Sequence, residues 1–182
     1  SAEPEVYPLR AGVAGPKLAE GFVAAGLEGF WIHTRIGEEC ELSEIDATGK
    51  LLRAARTIDC ELTVQEETSL GVLVGDGTGS MLLDPDTLAL TELPGRAVAV
   101  FDDQALIEHN GDVTLYDPAT ANSAPLSVPE SNGQLGYGRV SPDERHVLIV
   151  FGNPAWPGPR QLLDLWVLDT VNLEWSHLPG MP

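Results

Sequence analysis

The sequence predicts an all-β fold made of about four similar units of antiparallel strands, and three observations support this prediction. A short phrase occurs four times: an apolar strand ending in Asp, a few turn residues, and a second short apolar run. Between the copies, apolar and polar residues alternate as they do in half-buried strands. Dipeptides such as Asn110-Gly111 mark tight hairpin turns. The repeated acidic residues, spaced 38, 33 and 52 residues apart, are Asp46, Asp84, Asp117 and Asp169.

A spacing of about 40 residues between short-strand units is typical of β-propeller blades. We therefore expect a β-propeller-like repeat domain over residues 29–182, forming a closed ring, part of a larger propeller, or a ring completed by a second copy of the chain. Residues 1–28 differ, because five Pro and Gly residues between positions 4 and 16 break any long element. We interpret them as an N-terminal leader, in which residues 6–9 are a candidate ring-closing strand.

The strands are expected in a regular order. The first unit has strands at 30–35, 40–46 and 51–58, the last favoured by the repeat although its residues prefer helix locally. The second unit has strands at 60–64, 70–74, 81–83 and 88–90. The third has strands at 97–101, 105–109 and 113–116, with its last apolar run at 125–129. The fourth has two strands around a Pro-Asp turn within 138–151, then a Pro- and Gly-rich insertion at 152–160, then strands at 162–168 and 173–177.

Two fragments resemble known propeller repeats. Ser141-Pro142-Asp143-Glu144 resembles the Ser-Pro-Asp-Gly turn of WD-repeat and TolB-like propellers, with Glu144 where Gly is usual. Residues 165–182 resemble a kelch phrase in their Asp, their Trp and their Leu-Pro ending. The double glycine of a kelch repeat and the Gly-His and Trp-Asp pairs of a WD repeat are missing. The resemblance implies a propeller architecture and a binding habit, and it transfers no catalytic residues.

Net charge and cysteine content limit the partners and the cellular compartment that the sequence predicts. The chain has 28 acidic and 10 basic residues, a net charge of −18, which repels phosphate backbones and anionic lipid. We expect no nucleic-acid partner and, without an apolar run near the roughly 20 residues that span a bilayer, no membrane insertion. Cys40 and Cys60 fit either one disulfide in an oxidising compartment or two buried thiols. Because the chain starts at Ser1, we expect a removed upstream segment and an extracytoplasmic location, secreted or anchored.

The sequence predicts no catalytic residue, metal site or cofactor. The four histidines, His33, His109, His146 and His177, lack metal-ligand spacing, and neither a nucleophile elbow nor a phosphate loop is present. Residues 76–79 are interpreted as a hairpin turn rather than a calcium loop, since the further ligands of such a loop are missing. Recurrence of the four strand-ending Asp residues indicates a structural turn role, because a catalytic group is needed only once.

The best candidate binding residues lie in the insertion. Trp156, with Arg160 nearby, lies in a loop segment, where it is not needed for packing between strands. Aromatic residues on loops are common binding anchors. The alternative is that Trp156 folds back to plug the domain. We expect a non-enzymatic binding or scaffold module that contacts a protein or glycan partner through loops at one end. Two alternatives stay open: a propeller-type hydrolase, similar to glycoside hydrolases, with an unidentified carboxylate pair, and a structural fragment of a larger propeller protein.

Overall fold

The computed structural model describes residues 4–10, 13–76, 79–131, 133–152 and 163–178. Every regular element in this part of the chain is a β-strand, and all but one of the strand pairings are antiparallel. The prediction of an all-β fold is therefore confirmed. The chain divides into two compact units, Ser1–Glu92 and Leu93–Pro182.

The first unit opens with two small antiparallel ladders. They are formed by β1 (Glu5–Val6), β2 (Leu9–Arg10), β3 (Val13–Ala14) and β4 (Ala19–Glu20), where β1 pairs with β4 and β2 pairs with β3. Among the described residues, the segment that was expected to close a ring therefore pairs with other residues of the leader. A ring-closing role for residues 6–9 stays a prediction.

The main sheet of the first unit contains two four-stranded meanders. The first meander is β5 (Phe22–Ala25), β6 (Phe30–Ile36), β7 (Glu39–Ile45) and β8 (Leu51–Ile58). The second is β9 (Thr63–Thr68), β10 (Gly71–Gly75), β11 (Ser80–Leu83) and β12 (Leu90–Glu92). A single parallel pair, Ala25 opposite Glu66, joins β5 to β9 and makes one eight-stranded sheet. The boundary expected between residues 28 and 29 lies between β5 and β6, which pair with each other.

The second unit contains two further meanders, each forming its own four-stranded sheet. They are β13 (Arg96–Phe101), β14 (Gln104–His109), β15 (Asp112–Asp117) and β16 (Asn122–Pro125), then β17 (Gln134–Val140), β18 (His146–Gly152), β19 (Leu163–Asp169) and β20 (Trp175–Leu178). The last strand of the third meander was expected at residues 125–129, and this is corrected. The turn after Asp117 closes at Ala121, so pairing starts with Asn122 opposite Asp117 and ends at Pro125.

The repeated Asp is the last residue of the third strand of a meander or the residue directly after it, and the turn that follows has the same chemistry each time. One carboxylate oxygen, Oδ1, accepts two backbone N–H groups two to four residues later in all four copies. In three copies the fourth residue after the Asp has a left-handed backbone, with φ of 55° to 60°. The three left-handed residues are Leu88, Ala121 and Leu173. This geometry fits a turn-forming role for the carboxylate.

Each unit has its own apolar core. In the first unit Trp31, Leu42, Val72 and Val74 are almost fully buried between the two meanders. In the second unit the core is formed by residues of both meanders, among them Phe101, Leu106, Val113, Leu115, Val147, Ile149, Phe151 and Leu168. Gly138 of β17 lies so close to β13 that a Cβ there would be 2.9 Å from the Val98 carbonyl oxygen. The missing side chain lets the first strands of the two meanders approach each other.

A disulfide links Cys40 at the start of β7 to Cys60 in the connection between β8 and β9, with the two Cα atoms 5.1 Å apart. The connection is further held by the turn at Asp59, which accepts the backbone N–H groups of Glu61 and Leu62. Residue 60 was expected in a strand. It lies in this turn instead, and β9 begins three residues later.

Candidate functional site

A cavity of about 710 Å³ lies at one end of the second unit. Five parts of the chain meet around it: the starts of β13 and β17, the β14–β15 hairpin, the connection from β16 to β17, and the end of β18. Its volume falls within the range of about 300–1,000 Å³ that is usual for ligand sites. The lining combines apolar side chains, among them Val113, Val128 and Phe151, with a few polar ones. Such a lining gives a ligand both contact area and orientation.

Arg96, at the start of β13, is a lining residue whose guanidinium is largely used within the protein. Its Nη2 donates to the Leu135 carbonyl oxygen at 2.7 Å, and Nη1 donates to the Gly136 carbonyl oxygen. Its Nε lies 3.3 Å from Oε2 of Glu108, and the other carboxylate oxygen of Glu108 accepts the Gly111 N–H at 2.9 Å. Arg96 therefore joins β13 to β17 and fixes Glu108, rather than presenting an uncompensated positive charge to the cavity.

The connection over residues 126–131 forms a wall of the cavity, and two contacts fix it to the fourth meander. Trp175 Nε1 donates to the Ser127 carbonyl oxygen at 2.8 Å. The Ser131 hydroxyl donates to Asp164 Oδ2 at 2.7 Å and accepts the Gly133 N–H at 3.2 Å. The wall thus has defined anchors on β19 and β20.

Asp164 is the centre of a polar cluster behind this wall. Besides Ser131, it accepts a hydrogen bond from Trp166 Nε1 at 3.0 Å and contacts His177 Nε2 at 2.7 Å. The His177 ring also packs on Trp166, with ring centroids 4.7 Å apart. Burial opposes ionisation of Asp164, but the hydrogen bonds from Trp166, Ser131 and His177 outweigh it and lower the pKa of that carboxyl. The serine contacts the aspartate and not the histidine, so this is not the order of a nucleophilic triad.

A second charged cluster lies inside the first unit. Glu44 of β7 is fully buried and is bound by Arg53 of β8, whose Nη1 is also 3.6 Å from a carboxylate oxygen of Glu67 on β9. Glu67 accepts hydrogen bonds from Trp31 Nε1 and the Leu27 N–H, both at 3.0 Å. Burial raises the pKa of Glu44, although Arg53 acts in the opposite direction.

The cluster brings two carboxylates close together beneath the surface, those of Glu44 and Glu67. Both carboxylates of the pair face the same guanidinium, and Arg53 also lies over the Trp31 ring at 5.5 Å. The arrangement accounts for the two acids as ion partners that hold the first meander against the second. Glu44 Oε1 has no hydrogen-bond partner among the described residues.

The candidate binding residues predicted from sequence, Trp156 and Arg160, lie outside the described residues. The cavity residues Arg96, Glu108 and Ser131 and the supporting Asp164 were missed. A weak signal did exist, because residues 126–133 depart from the repeat and carry Pro129, Glu130 and Ser131 in a row. Departures from a strand repeat are where loops with specific roles are found.

Further properties follow from the described part of the chain. In it, no three His, Cys, Asp or Glu side chains come together in a way that could hold a metal ion. Among the same residues there is no helix with the length and apolar character needed to cross a membrane.

Comparison with known proteins gives the fold and no family. No protein-family model matches the chain, and no curated protein matches it. Among solved structures, the crystal structure of the tricorn protease is similar at 12% identity with a TM-score of 0.51, over 97% of this chain and 17% of that chain. A functionally unknown protein from Desulfotomaculum acetoxidans is similar at 11% identity with a TM-score of 0.46, over 93% of this chain and 60% of that one. The chain thus spans only part of the length of both. At such identities a likeness concerns the fold alone, and the one to the tricorn protease supports a propeller-like arrangement of the strands.

Proposed function

We propose that this chain is a non-enzymatic binding module that uses the loop end of a propeller-like domain, with the cavity of the second unit as its binding site. The observation that carries the proposal is the cavity itself. Its volume of about 710 Å³ suits a ligand, and its wall is held by Asp164 and Trp175 before any partner arrives. A wall that is already ordered loses less conformational freedom on binding, which favours affinity.

The repeat supports a more detailed architecture. Each of the four meanders has four antiparallel strands and ends its third strand in the same Asp turn. We assign each meander to one propeller blade, as the kelch-like and WD-like phrases in the fourth meander also suggest. The disulfide between Cys40 and Cys60 supports an extracytoplasmic location, because such bonds persist in oxidising compartments.

Binding is favoured over hydrolysis by the contacts of the carboxylates. A glycoside hydrolase needs one carboxyl to donate a proton and another to act as nucleophile or base across a sugar. Glu44 and Glu67 both face Arg53, and Glu108 is held by Arg96 and the Gly111 N–H. Each of these three acids is already used as a partner for a fixed donor, and the other acid that lines the cavity, Glu130, is exposed on its wall rather than buried.

The test is a binding screen with a variant that fills the cavity. The whole chain is screened against a displayed random-peptide library and a glycan array, and each hit is measured again with Val128→Trp. Val128 lines the cavity and is 38% exposed, so a larger side chain there occupies the site without disturbing the core. Val171→Trp is the matched control, because Val171 is 69% exposed in the β19–β20 turn and does not line the cavity.

We expect hits whose binding is lost in Val128→Trp and kept in Val171→Trp. Hits that bind both variants equally would place binding elsewhere on the chain and refute the proposed site. Turnover of an arrayed glycan, seen as a shortened product by mass spectrometry, would refute the non-enzymatic proposal.

A further inference from the structure

We propose that the cavity accepts a cationic side chain, so that the partner is a protein segment bearing Lys or Arg next to apolar residues. This inference rests on the proposed binding function and deepens it. It starts from the charges around the cavity. Two acidic residues, Glu108 and Glu130, and one basic residue, Arg96, are among the lining residues.

The charges in the cavity do not cancel. Arg96 and Glu108 form an ion pair, with the remaining contacts of the guanidinium made to the Leu135 and Gly136 carbonyl oxygens. Glu130 is exposed on the wall and has no ion pair or hydrogen bond to its carboxylate among the described residues. One negative charge is therefore left to face a ligand. A lysine or arginine head group is its complement, whereas a carboxylate or phosphate is repelled.

The apolar part of the lining fits the rest of such a side chain. Val113, Val128, Pro129, Leu135 and Phe151 line the cavity together with the polar groups. Lysine and arginine place their aliphatic stems along apolar surface while the charged head stays near water or a counter-ion. The combination of an exposed carboxylate and apolar walls therefore favours a basic side chain over a neutral sugar, whose hydroxyl groups need several donors and acceptors.

The charge of the whole chain acts in the same direction. A net charge of −18 attracts positively charged partners at long range and increases their rate of association. This long-range attraction is screened by salt. The local contact to Glu130 is what would make the cavity, rather than any other acidic surface, the place where the basic side chain binds.

The test uses the peptides enriched from the displayed library, and compares Glu130→Gln with Glu61→Gln. Both substitutions remove one negative charge, but Glu61 is an exposed residue of the first unit that does not line the cavity. We expect the enriched peptides to share a Lys or Arg flanked by apolar residues. Affinity should fall about fivefold with Glu130→Gln, in keeping with a contact of about 1 kcal/mol, and change little with Glu61→Gln. A peptide whose basic residue is replaced by Gln should bind the wild type and Glu130→Gln equally well, since the coupled pair is then absent.

The outcomes separate this inference from the function on which it rests. Enriched peptides without a basic residue, or glycan hits only, whose binding is lost in Val128→Trp, would overturn the inference and leave the binding function standing. Equal weakening of basic peptides by the Glu130 and Glu61 substitutions would also overturn it, because attraction would then be non-specific. Absence of any hit sensitive to Val128→Trp would overturn both.

Discussion

Reduction of the disulfide should destabilise the first unit and leave the second unit unchanged. The bond closes a loop between Cys40 and Cys60, which are 20 positions apart in the sequence. Cross-linking restricts the unfolded chain, by an entropy of about 2.1 cal/mol/K plus 1.5R times the logarithm of the loop length. For a loop of this length the sum is about 11 cal/mol/K, or about 3 kcal/mol at 25 °C. Marginally stable domains have about 5–15 kcal/mol in total, so this contribution is large.

The assay follows hydrogen exchange peptide by peptide, with and without dithiothreitol, because the two units report separately. Reduction keeps both sulfur atoms in place and so isolates the cross-link. The Cys40→Ala/Cys60→Ala double variant is the control, since it cannot respond to the reductant. It should be somewhat less stable than the reduced wild type, because Cys40 is 2% exposed and its sulfur packs in the core.

We expect exchange of the most protected amides of residues 22–92 to quicken by about two orders of magnitude on reduction, as about 3 kcal/mol implies. Amides of residues 93–178 should not change, since the two cysteines of the chain both lie in the first unit. Equal responses of wild type and double variant to dithiothreitol, or a response confined to the second unit, would refute the reasoning.

Three further substitutions have expected outcomes. Arg53→Met should cost about 3 kcal/mol in urea unfolding, because it leaves the buried Glu44 without its counter-ion, whereas Arg56→Met on the same strand should cost less. Glu144→Gly should be more stable than Glu144→Ala by about 1 kcal/mol, since φ at this position is +56°; equal stability would contradict a strained turn. The pKa of Asp164 is lowered in the folded state. The ionised carboxylate therefore stabilises the fold fully when the pH is above its pKa in the unfolded chain, and this stabilisation is lost as the pH falls through its pKa in the folded protein. Asp164→Asn should therefore flatten the acid limb of stability against pH, and an unchanged limb would argue against this.

The repeated strands were predictable because their signal is local. The Asp residues bind backbone N–H groups within four positions, so the turn chemistry is written in the sequence next to the strand that it ends. The same holds for the Asn110-Gly111 hairpin turn, where both residues have positive φ. The strand at Leu51–Ile58 was correctly favoured over a helix, since pairing with β7 outweighs a weak local preference.

The predictions that missed the observed fold concern residues placed by contacts that the alternation of apolar and polar residues does not reveal. Cys60 was placed in a strand, but the Asp59 turn and the bond to Cys40 hold it in a connection. Phe22–Ala25 was assigned to the leader with the rest of residues 1–28, because the Pro and Gly residues at positions 4–16 set that segment apart. Only its pairing with β6 and its single bridge to β9 make it the first strand of a meander.

The residues of the candidate site could not be predicted for a related reason, since their contacts join parts of the chain that are far apart in the sequence. Arg96 meets carbonyl oxygens 39 and 40 residues later in the chain, and Ser131 meets Asp164 after 33 residues. No motif at fixed spacing connects them, because the pairing of two whole meanders brings them together. The repeat therefore predicts the scaffold, whose residues are fixed by the same turn and strand chemistry in each copy. Specific chemistry is left to the segments that depart from it, and the connection over residues 126–131 is such a segment.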